Sequence, residues 1–562
     1  MIDPVELQVV TGALRACCEE MGAALIRSAH SPNIKERRDC STALFDAHGE
    51  MVMQAEHIPV HLGSMPDAVA AVLAADHERG ASWILNDPFA GGTHLPDITV
   101  ITPIFIAERD VWHDRRGEGG VGAREGAHRT GEGAHRTAEG AHRAGEHLHR
   151  TDEGAPRREE TGRTDTMLGF AVSRAHHADV GSSSPGSMPA DSRTLAEEGV
   201  VIEPQLLTEA LIERLAAATR NPHERRADLR AQLAANRIGV LRVQELARRI
   251  GTHRLSEANE EVLAYAERRM RARLEAMPDG VREAEDVLEA QEGDLTLRLR
   301  AVLTGESLVL DFTGSAAQHA GNLNCPLSVT KSACMFAVRV LTDPEIPAST
   351  GAFRPLRVIA PEGCLLNALP GAAVAGGNVE TSSRVADLVL CAFGRALGQG
   401  TMNNLALGDE KFAYYETIGG GQGACPDADG PSAVHVAMSN TLNTPIEALE
   451  RELPLRITTY AVRRSSGGAG LHRGGDGVVR EIEALRGMSF SLITERRLHR
   501  PRGAAGGEPG QAGHNLLIRT DGSVEDLPAK ARGLLAAGER LRIETPGGGG
   551  FGTPPEKGGA AA

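Results

Sequence analysis

Between about Val111 and Asp165 the chain stops resembling part of a folded domain, so whatever the rest builds must close around that interruption. Glu-Gly-Ala-His-Arg recurs every seven residues at Glu125, Glu132 and Glu139, with degenerate copies from Glu118, Glu146 and Glu153. The repeat sets His128, His135, His142 and His149 in heptad register, which on a helix would make a metal-binding face. Glycine in most units, and the lack of apolar a and d residues, speak against any stable helix. With nothing to bury against the entropy of ordering, residues 113–165 are expected to be a disordered low-complexity insertion that at most holds metal loosely. Such an excursion is tolerable, because closure entropy grows only logarithmically with loop length. The flanks, 1–112 and 166–555, must then fold together, leaving 556–562 as a flexible tail.

Bulk properties remove several function classes. A hydrophobic share of 41% over 562 residues is enough for a sizeable core, while aromatic residues make up only 3%. Two tryptophans and four tyrosines offer few platforms for stacking bases, and a formal charge of −15 repels phosphate backbones. Nucleic acid is therefore not an expected partner. No apolar run is long enough to span a bilayer, and the first residues lack a basic segment followed by an apolar one. The eight cysteines include no Cys-x-x-Cys, a pattern that suits reduced thiols. A soluble cytoplasmic protein is the expectation.

The flanks alternate between helical and extended patterns. A helix is expected over residues 4–30, with Asp3 as N-cap, Pro4 in the first turn and Glu6 reaching back, and with Leu7, Val10, Leu14 and Met21 buried. Cys40 to Met53 reads as a hairpin turning at His48-Gly49, followed by a helix from Pro66 to His77 and a strand from Ile98 to Ile106. Long helices should fill Glu203 to Met277, broken at Asn221-Pro222. Alternation from Asp294 to Phe312 gives a hairpin about Thr304-Gly305-Glu306, and Val329 to Leu341 reads as a helix. Short strands and glycine turns follow Gly474. The fold class is α+β, a large mixed fold with helical segments and a β-rich C-terminal part.

Chemistry concentrates in two short segments. In Gly91-Gly92-Thr93-His94-Leu95-Pro96-Asp97 an imidazole and a carboxylate stand three residues apart behind a glycine turn. His176-His177-Ala178-Asp179 repeats that spacing, and Asp39 lies upstream. Imidazole with carboxylate, and no thiolate, is a donor set for zinc, manganese or iron. A metal-centred site follows as the working expectation, although any one of these residues alone reads equally as a turn carboxylate or a satisfied histidine.

Many further motifs stand in one order. Asp3-Pro4-Val5, Arg37-Arg38-Asp39-Cys40-Ser41, His57-Ile58-Pro59-Val60-His61-Leu62-Gly63, Asn86-Asp87-Pro88-Phe89, the two segments above, Ser184-Pro185-Gly186-Ser187-Met188-Pro189, Asn322-Leu323-Asn324-Cys325-Pro326, Gly376-Gly377-Asn378-Val379-Glu380 and Tyr415-Glu416-Thr417-Ile418-Gly419-Gly420-Gly421 together resemble the hydantoinase B/5-oxoprolinase family over nearly the whole chain outside the insertion. The resemblance implies the B-type subunit of an ATP-dependent enzyme that opens a cyclic amide such as a hydantoin or 5-oxoproline. An A-type partner subunit would bind ATP and phosphorylate the carbonyl oxygen, and the B-type subunit would hold a divalent metal that activates water. Relatives in ketone carboxylases (acetone or acetophenone) make carboxylation the alternative, and a non-catalytic scaffold for the A-type partner is a third reading. The sequence contains no Gly-x-x-x-x-Gly-Lys-Ser/Thr loop, consistent with ATP on the partner.

On that footing Asp39, His94 and His176 are the expected metal ligands, leaving a coordination position open for water. Asp97 and Asp179 would complete the shell or orient the imidazoles through their second nitrogens. His57 and His61 share one side of either a helix or an extended chain, with Pro59 favouring the latter, and are candidates for acid–base work or for a structural role. Glu416 and Arg384 are candidate substrate contacts, although Arg384 fits a structural ion pair equally well. The glycines from Gly419 to Gly423 could form a loop over substrate or its phosphorylated form, whereas Gly547–Gly550 reads as structural. Ser182 stands where the family usually has a second glycine, which bears on the local turn more than on the ligands. Cys40, beside Asp39, lacks a histidine signature for a nucleophile.

Overall fold

The computed structural model describes residues 2–56, 58–107 and 165–555. The repeat tract up to residue 164, the tail and His57 lie outside the described residues, whereas Asp165, expected at the end of the insertion, is the first residue of a strand. Helices and several sheets alternate along the chain, giving the expected α+β architecture.

The first helix, Pro4–Ser28, starts where its cap dictates: Asp3 accepts a hydrogen bond from the Val5 amide at 3.1 Å, and Pro4 occupies the first turn. Val10, Leu14 and Met21 are buried and Leu7 partly so. Glu6 does not reach back; it pairs with Arg254 on a later helix. The helix packs against a six-stranded antiparallel sheet of β1 (Cys40–Asp46), β2 (Met51–Glu56), β3 (Trp83–Leu85), β4 (Asp97–Ala107), β5 (Asp165–His176) and β6 (Gln205–Leu206), ordered β2-β1-β5-β4-β3-β6. Helix Pro222–Ile250 shares that face, and Ala171, Ala175, Ala231 and Ala235 let it approach closely. The helix expected from Pro66 to His77 is only Met65–Ala70. Beyond it, i→i+3 bonds such as Val72 N to Val69 O (3.1 Å) tighten the chain, so Val72 is buried and Leu73 packs near the Gly49 turn.

The long helical stretch breaks at Asn221-Pro222, as its sequence predicts, and again at Gly251, whose φ of 89° ends Pro222–Ile250 and starts Thr252–Glu275. Strands β7 (Gly280–Ala290), β8 (Gly293–Thr304), β9 (Ser307–Asp311) and β10 (Leu356–Ile359) form a second sheet, with the expected turn between β8 and β9. Helices Leu327–Leu341 and Ser382–Ala392 bury the largest core between them and this sheet. The C-terminal part supplies β11 (Asn404–Gly408), β12 (Ala413–Glu416), β13 (Leu455–Arg463), β14 (Gly477–Ala484), β15 (Met488–Ile493), β16 (His514–Ile518), β17 (Val524–Leu527), β18 (Lys530–Leu535) and β19 (Arg540–Glu544), in two more sheets ordered β12-β11-β15-β18 and β13-β14-β19-β16-β17. Among the described residues no helix is long and apolar enough to cross a membrane.

Candidate functional site

Strand register assembles the site. Asp97 is the first residue of β4 and His176 the last of β5, and they face each other across the ladder. Asp39 immediately precedes β1, and its carbonyl accepts the His176 amide at 3.0 Å. The turn that delivers His94 is fixed from several sides. Gly91 has a φ of 95°, and a Cβ there would lie 2.3 Å from the Ala68 nitrogen. The Gly91 carbonyl accepts from buried Arg174 at 2.7 Å, and Asn86 Nδ2 donates to the Leu95 carbonyl at 2.8 Å.

Three ligand atoms meet here. His94 Nε2 lies 3.1 Å from His176 Nδ1, and each nitrogen is 3.2 Å from Asp97 Oδ1. For donor-to-metal bonds of about 2.0–2.1 Å, the edge of a coordination polyhedron is about 3.0–3.4 Å. The triangle therefore has the dimensions of one face of a metal site, and His94, Asp97 and His176 are the residues that could hold a metal together. Burial opposes charge on Asp97, yet the neighbouring His94, His176 and His61 outweigh it and hold its carboxyl well below the usual range. Burial pushes His176 below the ordinary imidazole value, against the pull of Asp97 and Asp39. An ionised carboxylate beside a neutral imidazole is the protonation state a cation requires.

The surroundings sort the other candidates. Asp39 lines the same small cavity, with its carboxylate 3.9 Å from Arg37, but Asp97 and not Asp39 completes the triangle. His61 is fully buried in a 3-10 turn, Pro59–His61, and not in extended chain; its Nε2 lies 3.4 Å from Asp97 Oδ2 and its Nδ1 2.9 Å from Ser41 Oγ. Thr93 Oγ1 donates to the same Oδ2 at 2.5 Å. Asp179 points elsewhere: its carboxylate takes hydrogen bonds from Gly181 N, Ser187 Oγ and both the backbone and side chain of Arg220. Neither aspartate reaches the outer imidazole nitrogens, and His94 Nδ1 and His176 Nε2 have no partner among the described residues. His176 is held by stacking, with Tyr415 at 4.6 Å and 13° from parallel, and the Arg37 guanidinium also lies over the Tyr415 ring, 4.9 Å from its centroid.

The substrate-contact candidates are placed away from this cavity. Glu416 is fully buried and bound to Arg480 at 2.7 Å. Adjacent side chains on β12 face opposite sides, so Tyr415 takes the place at the site; that two-residue alternation was a signal available in the sequence. Arg384 is sealed among Asp286, Asp387 and Glu495 at 3.2–3.5 Å. Gly421 packs backbone to backbone, since a Cβ there would lie 2.0 Å from the Gly475 carbonyl and 2.3 Å from the Gly548 nitrogen. The first glycine run thus joins the structural layer already expected for the second. Burial, then Asp39, pushes the Cys40 thiol up, which keeps it protonated.

The cavity bounded by Asp39, His94, Asp97, His176, Asn378 and Thr417 measures about 20 Å³, room for one water or ion.

Comparison with known proteins places the chain. The profile of the family described as hydantoinase B/oxoprolinase matches residues 3–117 and 156–554. A 5-oxoprolinase of Dictyostelium discoideum is 34% identical over 98% of this chain, which covers 40% of that protein. The chain thus spans well under half the length of such relatives. A Pseudomonas protein named as the B-type component of a D-/L-hydantoinase is 27% identical, with 99% of this chain and 91% of that protein aligned. The crystal structure of an ATP-dependent caprolactamase from Pseudomonas jessenii superposes with a TM-score of 0.82 at 24% identity, covering 99% of this chain and 93% of that one, a likeness of fold.

Proposed function

The chain belongs to the hydantoinase B/oxoprolinase family, and from that premise we propose that it is the B-type subunit of an ATP-dependent cyclic amidohydrolase. It opens a hydantoin, 5-oxoproline or related lactam after an A-type partner has bound ATP and phosphorylated the ring carbonyl. The observation that carries this reading is the buried triangle of His94, Asp97 and His176 beside Asp39. Its donors and spacings fit a divalent cation of the zinc, manganese or iron kind.

Such a cation would supply Lewis-acid polarisation and a water of lowered pKa. The chain's own residues do the rest. Asp97 offers one oxygen to the triangle while Thr93 and His61 hold the other, which fixes the carboxylate plane. Tyr415 stacks on His176 and sets its ring plane. Asp39, on the same wall, is placed to receive a proton from the attacking water. A cavity of about 20 Å³ is too small for a lactam ring. Substrate entry therefore requires the cavity to widen.

The test is elemental analysis of the purified chain by plasma mass spectrometry beside an Asp97→Asn/His94→Ala double variant, followed by ATP-dependent ring opening with the A-type partner. Near-stoichiometric metal that disappears in the variant, with turnover of a lactam, is the expected result. Absence of metal after reconstitution would remove the water-activating centre and leave a scaffold. Bicarbonate-dependent consumption of a ketone would move the chain to the carboxylase branch.

A further inference from the structure

Asn378 carries a buried amide oxygen with no hydrogen-bond partner among the described residues. It sits on the π-helical turn Gly377–Thr381 that leads into helix Ser382–Ala392, and such turns often mark functional positions. The backbone there is fixed on every side. Gly377 N donates to the Asn322 carbonyl at 2.8 Å and Asn378 N to the Val374 carbonyl at 3.0 Å. Ser382 Oγ donates to the Asn378 carbonyl at 2.6 Å. A Cβ on Gly377 would lie 1.7 Å from the Asn324 carbonyl, so this stretch is pressed against a neighbouring backbone. Upstream, the carboxylate of buried Glu198 accepts the Val374 and Ala375 amides at 3.0 Å and Ser192 Oγ at 2.8 Å.

The side chain held so firmly is 3% exposed and lines the cavity of His94, Asp97 and His176. Its Oδ1 is buried and accepts no hydrogen bond among the described residues, whereas most buried polar atoms of native proteins are paired. Other uncharged polar groups on the wall already have a partner. Thr417 and Thr441 bond each other at 2.5 Å, Ser439 bonds His435 at 2.6 Å, and the Tyr415 hydroxyl donates to Asn404 at 2.5 Å.

We propose that Asn378 is the water-positioning residue of this site, its carboxamide accepting a hydrogen bond from the water that attacks the activated ring carbon. The inference rests on the hydrolytic reading above. A neutral amide orients that water but cannot take its proton, which separates its role from that of Asp39.

The experiment uses the full chain with its A-type partner, comparing Asn378→Ala, the near-isosteric Asn378→Asp and His94→Ala. Metal content, melting temperature, kcat and KM are measured, together with crystal structures of the metal-loaded wild type and Asn378→Ala at a resolution that shows waters. Asn378→Ala should keep its metal and its melting temperature, lose about 10- to 100-fold in kcat with KM nearly unchanged, and lose or displace a water hydrogen-bonded to Asn378 in the wild type. Should the Ala variant fold poorly, Asn378→Leu, which fills a similar volume without an acceptor, carries the same comparison, and Asn378→Asp, which keeps an acceptor oxygen, should retain more turnover than either. Unchanged kcat in a folded variant, or metal loss equal to that of His94→Ala, would overturn the proposal. So would a wild-type structure without a water on Asn378, whatever the turnover. Failure of the hydrolytic reading looks different: the wild type itself would bind no metal and open no ring.

Discussion

Replacing Arg384 with methionine separates a substrate contact from a structural cation. Arg384, Arg496 and Lys530 face Asp286, Asp387 and Glu495 in a buried, formally balanced network. Arg496 holds Asp286 at 2.7 Å and Asp387 at 2.9 Å, and Lys530 is bound to Glu495. Methionine fills much of the same volume but leaves one carboxylate uncompensated in the interior. Removing one partner from a buried pair costs about 3–5 kcal/mol. At about 2 °C per kcal/mol for a large cooperative unit, the melting temperature should fall by about 6–10 °C.

The loss should also depend on pH, because the network can absorb the missing charge as a proton. Burial pushes Asp387 up to about 7, against the pull of Arg384. Without Arg384 it takes a proton more readily still, so the deficit should be smaller at pH 6 than at pH 8. Differential scanning calorimetry at both pH values, with KM measured on the folded fraction, checks both parts. An Arg384→Met chain with wild-type melting temperature and a KM raised about tenfold or more would refute the argument and return Arg384 to the substrate.

Glu198 carries a second pH signature. Burial, opposed by the Ala375, Val374 and Ser192 hydrogen bonds, raises its carboxyl from an ordinary 4.5 to about 7. A folded-state value above the unfolded one means that its contribution is full below about pH 4.5 and is lost as pH rises through about 7, worth about 3 kcal/mol across that window. Glu198→Gln should flatten the chain's melting temperature between pH 5 and 8, and a variant with the wild-type slope would count against the assignment. Gly377→Ala places a methyl 1.7 Å from the Asn324 carbonyl and should cost several kcal/mol, whereas Gly12→Ala, with no atom within 4 Å, should stabilise its helix by about 0.5–1 kcal/mol. Chemical denaturation of the pair reads the contrast directly.

Local signals made the elements legible, and pairing partners decided what was not. The cap at Asp3, the break at Asn221-Pro222 and the hairpin turn at Thr304-Gly305-Glu306 act within a few residues and stand in the structure as the sequence implies. Gly251 was missed because one glycine inside a helical pattern is usually tolerated. The motifs singled out His94 and His176, which the structure brings within 3.1 Å of each other. Which aspartate completes their triangle could not be read there, because it depends on the register that sets Asp97 opposite His176. Glu416 was singled out and Tyr415 was not, because alternation says that the two face opposite sides but not which side meets the site. Arg384 was ambiguous because its three carboxylate partners lie 98, 3 and 111 residues away.

The same register decides how the repeat tract relates to the site. β4 and β5 are direct neighbours, and their ladder runs from Asp97 opposite His176 to Ala107 opposite Asp165. The tract leaves and re-enters at the second pair, ten positions along the strand from the first, about 30 Å at the usual rise. It therefore joins two paired strand ends as a hairpin connection does, and its length places no demand on the ligands at the far end of the ladder. Deleting 113–164, which spares Asp165 of β5, and closing the gap with a short glycine–serine linker should leave metal content, melting temperature and turnover within experimental scatter of the full chain. Loss of turnover with metal retained would show that the tract reaches the substrate or the partner. Loss of metal would show that its histidines, and not the triangle of His94, Asp97 and His176, hold the ion.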